Sequence, residues 1–213
     1  MRLACVLKSG GGYNASHVAR LHAQLKRHLP GYDLVCLSDV DVPCERIHLQ
    51  YDWPGWWAKM CLFHPDIDDD ILFFDLDTVI VRDISEFAQV CRTTLLSDFH
   101  SEYALASGLM YLAQEDRDLV WRGFISDPGR HIRRFSKAGD QGFLREFKHL
   151  RTAARWQNKF PGQVISYKSH IQLKGGDREL PADARIVCFH GQPRPWQISA
   201  PWVTQHDSSE KTS

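Results

Sequence analysis

Apolar positions change period within the first forty residues. "RLACVL" (2–7) is a nearly unbroken apolar run, whereas Val18, Leu21, Leu25 and Leu29 recur at intervals of three and four until "PG" at 30–31. The run predicts a buried strand. The recurrence predicts a helix with one apolar face, capped at its start by Asn14 and separated from the strand by the glycine-rich turn "KSGGGY". "DLVCLS" (33–38) is a second strand, and strand–helix–strand favours a parallel, right-handed α/β unit. "WPGWWAKMCLF" (53–63) reads as a loop leading into a short helix, and "HPDIDDD" as a polar turn. In "ILFFDLDTVIV" (71–81) the apolar start reads as a central strand that ends by presenting Asp75 and Asp77, after which the chain turns apolar again; "ISEFAQV" reads as helix, and "TTLLSDF" and "YALASGLMYL" as further strands. The region 115–150 is expected to be mostly helical, with Asp140 placed to cap "QGFLREFKHL"; "GQVISY" and "ARIVCFH" return to strand, and "HDSSEKTS" is a frayed tail. No internal repeat interrupts this order. The sum is a single α/β domain with a central sheet, spanning 1–200, and a tail at 201–213.

Composition narrows the class. A chain of 213 residues supports one sizeable core, and 43% apolar with 24% charged residues is globular rather than disordered. Lys plus Arg and Asp plus Glu balance at 26 each, so no global charge points to nucleic acid or to a membrane surface. Charge is segregated locally. The stretch from Asp66 to Glu86 is acidic, whereas Arg122 to Lys159 carries ten Lys or Arg against Asp127, Asp140 and Glu146. That basic run is either a solvated helical face or a surface for an anionic ligand. Cys5, Cys36, Cys44, Cys61, Cys91 and Cys188 form no C-x-x-C pair, and several lie in strand-like runs. They are expected to be reduced, buried and small-hydrophobe-like. With no apolar run of membrane-spanning length and no signal-peptide pattern, the cytoplasm is the expected compartment.

Two places carry candidate chemistry. Asp75 and Asp77 end an apolar strand one residue apart, and residues two apart on a strand share a face. Like charges that close need a cation between them or one of the two protonated, and two oxygen donors at the carboxyl edge of an α/β sheet suit Mg²⁺ or Mn²⁺ completed by substrate phosphates. A solvated acidic turn is the plainer alternative. The second place is "VCFHGQPRPW" (187–196), where a strand delivers His190 and two prolines restrain Arg194. A strand-end histidine by itself is an ordinary core residue. Joined to a rigid arginine, it offers a nitrogen ligand suited to Mn²⁺ and a bidentate phosphate grip.

"WWAK", "LFFDLDT", "SGLM", "GDQG" and "HGQPRPW", in that order, resemble the GT-A-fold glycosyltransferases of the glycogenin and lipopolysaccharyl-galactosyltransferase type, family 8 and its bacterial relatives. The resemblance runs from Leu3 to about Trp196. It implies a Rossmann-like GT-A domain with a mixed, mainly parallel central sheet flanked by helices. It also implies Mn²⁺ (with Mg²⁺ possible) on Asp75, Asp77 and His190, bridging the diphosphate of a UDP-sugar, and hexose transfer with retained anomeric configuration. Asp140, Gln141 and Lys59 are the implied catalytic set, the first two facing the sugar's reacting carbon. Lys8, Tyr13, Lys59, Leu76, Ser107, Gly108, Gly191, Arg194 and Trp196 are the implied donor-binding set. The family's usual Asp-x-Tyr after the first strand is here Gly11, Gly12 and Tyr13, so Tyr13 is available to a base while the carboxylate is absent. The acceptor is open among a glycan, a lipid-linked sugar and a small molecule.

Two other classes fit part of the sequence. "LFFDLDTVI" also matches the Asp-x-Asp motif of haloacid-dehalogenase-type phosphatases, with Asp75 as nucleophile. That reading requires a later acidic pair, which "GDQGFLRE" lacks, and leaves "HGQPRPW" without a role. A nucleotide-sugar-binding protein without turnover is the third class. Among Trp53, Trp56 and Trp57, at least two are expected in the core, and one could stack on a sugar.

Overall fold

The computed structural model describes residues 1–173 and 179–204. β1 (Arg2–Leu7), α1 (Ala15–His28), β2 (Leu34–Ser38) and β3 (Glu45–His48) open the chain. A 3-10 segment, Gly55–Phe63, leads to β4 (Ile71–Phe74), β5 (Thr78–Ile80), α2 (Ser85–Ala88), β6 (Thr94–Asp98) and β7 (Ser101–Leu112). Four helices follow: α3 (Gln114–Ile125), α4 (Pro128–Arg134), α5 (Gly139–Leu144) and α6 (Lys148–Thr152). β8 (Ala154–Arg155), α7 (Trp156–Lys159), β9 (Val164–Ser166), a π-helical turn (Tyr167–Gln172), β10 (Ile186–Cys188), a 3-10 turn (Pro195–Gln197) and α8 (Pro201–Thr204) complete it.

The main sheet has seven strands in the order β3-β2-β1-β4-β7-β6-β8. β1 pairs in parallel with β2 and β4, β2 with β3 and β6 with β8, while β7 runs antiparallel to both β4 and β6. A second sheet, β5-β10-β9, stands apart from it. The two-residue alternation of β1 divides the core: Leu3, Cys5 and Leu7 pack with α1 on one face, while Ala4 joins Phe73, Trp57 and Phe124 on the other. Val79, Ile165, Val187 and Phe189 fill a third cluster in the small sheet. α1 behaves as its pattern predicts. The Asn14 side chain accepts from Ser16 N at 3.0 Å, His17 Nδ1 accepts from Asn14 N at 3.0 Å, and Val18, Leu21 and Leu25 are buried.

The strand that runs up to the two aspartates is β4, as its pattern predicts, and the apolar run after them is the separate strand β5. Thr78 N bonds back to Asp75 O at 3.0 Å, so Asp75–Leu76–Asp77 form a turn that carries the chain from the large sheet to the small one. Several expectations are corrected. β3 is an additional edge strand whose "ERIH" is largely exposed and therefore lacks an apolar signature. Asp140 does not cap a helix: α5 starts at Gly139 with Ala138 before it, and the Asp140 side chain is buried elsewhere. All six cysteines are free, but Cys91 is exposed and Cys44 only half-buried. Nor is the basic run a uniform face. Arg155 is buried and donates to the carbonyls of Leu150, Arg151 and Ala153, whereas α4 has no buried residue.

Among the described residues no helix is long and apolar enough to cross a membrane. Pro201–Thr204 forms a helical turn with Val203 buried; residues 205–213, which include the expected frayed tail, lie outside the described residues.

Candidate active site

Chain segments that leave the carboxyl ends of β1, β4 and β10 meet at one edge of the sheets, the edge where α/β folds bind ligands. Two cavities open there and share a wall. The larger, about 550 Å³, is lined by the glycine turn Gly10–Tyr13, by Asp75 to Asp77 and by His190, Gly191 and Arg194. The other, about 440 Å³, is lined by Ser107, Gly108, Asp140 and Gln141. Trp56, Lys59, Asp75, Phe189 and His190 border both.

The cation that the paired aspartates require is supplied twice by the protein itself. Lys59 Nζ lies 2.8 Å from Asp75 Oδ1 and 3.9 Å from Asp140 Oδ2. Arg194 Nη1 donates directly to Asp77 Oδ2, which also accepts from Tyr13 Oη at 3.0 Å. The local fold explains both placements. A 3-10 turn has three residues per turn, so Trp56 and Lys59 eclipse on one side while Trp57, Met60 and Phe63 are buried on another. Arg194 is held by the turn before Pro195, where its backbone N donates to Gln197 Oε1 at 2.6 Å. Its guanidinium also lies 5.3 Å from the centre of the Tyr13 ring.

Three carboxyl groups, on Asp75, Asp77 and Asp140, thus face one ammonium and one guanidinium. Burial pushes the Asp75 carboxyl up to about 7, Lys59 opposes that rise, and Asp77 and Asp140 add to it. The side chain is still 30% exposed through the cleft, so water screens part of the shift. Burial alone would lower the Lys59 ammonium, but Asp140 and Asp75 outweigh it and hold it above its ordinary range. Tyr13 is pushed upward by burial and by Asp77. His190 is lowered by burial, then by Lys168 and His100, which favours the neutral imidazole.

The smaller cavity is organised around Asp140, which is 5% exposed. Its Oδ2 accepts from Ser107 Oγ at 2.8 Å. Gln141 Oε1 accepts from Ser107 N at 3.4 Å, and Gln141 Nε2 donates to Asp98 at 3.4 Å. Arg145 Nη2 holds the same Asp98 oxygen at 3.0 Å. Asp98, at the end of β6, was not among the sequence candidates, although it shares the signal that marked Asp75: a carboxylate ending an apolar strand. Gly108 leaves room for Asp75, whose Oδ2 would lie 3.4 Å from a Cβ there.

The remaining candidates are distributed around the rim. Lys8 is engaged by Asp39 at 2.6 Å and Asp52 at 2.7 Å, so its ammonium is paired beside the glycine turn. Leu76 is buried, and its carbonyl accepts from Arg20 Nη2 at 2.8 Å. Gly191 has φ +71, which favours glycine there. Trp196 lines neither cavity; its ring sits 4.0 Å from that of His17 and edge-on to that of Tyr13.

Whether these residues suit a divalent ion can be judged from their donors. Among the described residues, no three histidine, cysteine or acidic side chains converge as a ready-made metal site. Asp75 and Asp77 are hard oxygen donors with a surplus of negative charge around them, which fits Mg²⁺ or Mn²⁺. His190 borders the same cavity with a neutral ring, but its Nε2 is bonded to Ser166 Oγ at 2.7 Å. As a ligand it would exchange that hydroxyl for the ion.

No protein-family model and no curated protein matches the sequence. Among solved structures, the glycosyltransferase GlyE of Streptococcus pneumoniae TIGR4 superposes with a TM-score of 0.68 over 100% of this chain and 60% of that chain, at 14% identity. Its apo form gives a TM-score of 0.68 with the same coverage at 13% identity. The apo structure of the bifunctional glycosyltransferase WbbM gives 0.55 over 97% of this chain and 51% of that one, at 12% identity. This chain therefore spans little more than half the length of these neighbours. At such identities the likeness is one of fold, and the chain has the GT-A-type α/β architecture of these glycosyltransferases.

Proposed function

We propose that this chain transfers a hexose from a nucleotide-sugar, with a UDP-sugar as donor, to an acceptor that carries a hydroxyl. The observation that supports this best is the joined pair of cavities in which Asp77 pairs with Arg194 on one side while Lys59 links Asp75 to Asp140 on the other. Glycosyl transfer builds positive charge on the sugar carbon and negative charge on the departing diphosphate. The cleft has groups of the right sign for each. Arg194 has the planar fork that matches a phosphate. Asp140, held by Ser107 and backed by Lys59, is a carboxylate for the sugar side, with Gln141 beside it.

Asp75, Asp77 and His190 would hold Mn²⁺, with Mg²⁺ as the alternative. When bound, that ion supplies Lewis-acid stabilisation of the leaving diphosphate. Retention of configuration is part of the same proposal and follows the resemblance to family 8.

Incubation with Mn²⁺ and a panel of nucleotide-sugars, assayed for free nucleoside diphosphate, tests the proposal. Slow donor hydrolysis, fastest with a UDP-sugar, is the expected outcome. Phosphate release from phosphomonoesters without donor cleavage would instead favour a phosphatase. Donor binding without turnover would favour a silent nucleotide-sugar-binding protein.

A further inference from the structure

Trp56 differs from its two neighbouring tryptophans. Trp53 and Trp57 are 9% and 3% exposed and belong to the core, whereas Trp56 is 52% exposed and borders both cavities. An indole left half in water at a cleft mouth forgoes the burial that would stabilise it, which makes it a candidate contact surface. Its position is nevertheless fixed. It stands on the same side of the 3-10 turn as Lys59, and a Cβ on Gly139 would collide with its Nε1, Cδ1 and Cε2. Gly139 directly precedes Asp140 and has φ +62, so both backbone conformation and lack of space call for glycine there. The ring is therefore indexed against Asp140. Its N–H has no hydrogen-bond partner among the described residues and remains available to a ligand hydroxyl.

We infer that Trp56 is the stacking platform for the acceptor, and that the acceptor presents a pyranose ring. The C–H face of a pyranose packs on an indole while its hydroxyls reach polar neighbours, as most ligand sites combine an apolar floor with a few placed polar groups. The acceptor rather than the donor is assigned by exposure. Asp140, at 5% exposure, marks the buried wall where the donor's reacting carbon would sit, whereas Trp56, half in water, borders the same cavity on its solvent side, where a sugar arriving afterwards would rest. The inference rests on the transferase reading, and its test separates the two.

The test uses the indole N–H signals in ¹H–¹⁵N NMR spectra of the full chain, with the Trp56 signal assigned from its loss in Trp56→Phe. UDP with Mg²⁺ is titrated first, followed by methyl glucoside, methyl galactoside and methyl N-acetylglucosaminide. At least one glycoside is expected to shift the Trp56 indole signal. Trp56→Ala is expected to weaken that glycoside by about tenfold or more, Trp56→Phe by less, and UDP affinity to stay within about twofold in both. A glycoside that binds without moving the Trp56 signal, equal glycoside affinity in Trp56→Ala, or no glycoside binding beside normal UDP binding would each overturn the inference and leave the transferase reading standing. Failure of UDP to bind, with the Trp56 signal still responding to a glycoside, would overturn the transferase reading and keep the sugar platform.

Discussion

Arg194 bonds directly to Asp77 across 117 residues of sequence, tying the turn after β10 to the turn after β4. In this state the arginine occupies the carboxylate that a divalent ion would use. Arg194→Met retains an apolar stem and removes the guanidinium, and two opposite changes are expected. Mn²⁺ alone should bind more tightly, because Asp77 no longer has to leave a partner. UDP in the presence of Mn²⁺ should bind more weakly, by about 2 kcal/mol, the size of a lost charged hydrogen bond. Calorimetric titration of each ligand checks this. Weakening of both by the same amount would mean that Arg194 merely holds Asp77 in position.

Gly139→Ala should destabilise the fold and disturb the cleft together. A side chain at φ +62 costs roughly 1–2 kcal/mol, and the collision with Trp56 adds to that or displaces the ring. Urea unfolding measures the loss, and increased solvent quenching of tryptophan fluorescence reports the displacement. Wild-type stability with an unchanged spectrum would contradict the close packing of these two residues.

Asp39 gives a pH dependence of definite sign. Burial pushes its carboxyl up, but Lys8 and the hydroxyl and amide of Ser9 overcome this and hold it well below the usual carboxylate range. A depressed carboxyl stabilises the fold above its unfolded pKa of about 4, and that contribution is lost as pH falls through the folded value. Asp39→Asn should therefore cost on the order of 1 kcal/mol at neutral pH, a figure already reduced for screening by water at the loop surface. The difference from wild type should fade as pH drops from about 4 towards 2. Unfolding curves at neutral and acid pH decide it; a difference that grows on acidification would be the wrong sign.

What could be read from the sequence depended on how local its cause was. α1 was legible because its cap, its apolar face and its proline–glycine stop all lie in or beside the segment, although the helix ends at His28 and Leu29 is its C-cap. That Asp75 and Asp77 leave the carboxyl end of a strand was legible from the apolar run before them, whereas their approach to Arg194 was implied only by the family resemblance, since nothing local joins two turns 117 residues apart. Asp140 misled: a polar residue before an apolar run has the local signature of a cap, but its partner, Ser107, lies 33 residues away on β7. β3 was hidden because an exposed edge strand needs no apolar alternation, and the division of 71–81 between two sheets depends on β10, more than 100 residues later. The role of Lys59 as an internal counter-ion is likewise a tertiary fact. The 3-10 turn eclipses it with Trp56, three residues earlier, but its partners Asp75 and Asp140 come from elsewhere in the chain.

The central claim is that Asp75 and Asp77 hold a divalent ion together with a nucleotide diphosphate. Electron paramagnetic resonance of Mn²⁺ tests it most directly, since the sharp signal of the free ion fades when the ion is bound. With UDP present, the wild-type chain should remove that signal up to one ion per chain, whereas Asp77→Asn, with an unchanged melting curve, should leave it in place. Asp77→Asn binding Mn²⁺ and UDP as tightly as the wild type would contradict the account.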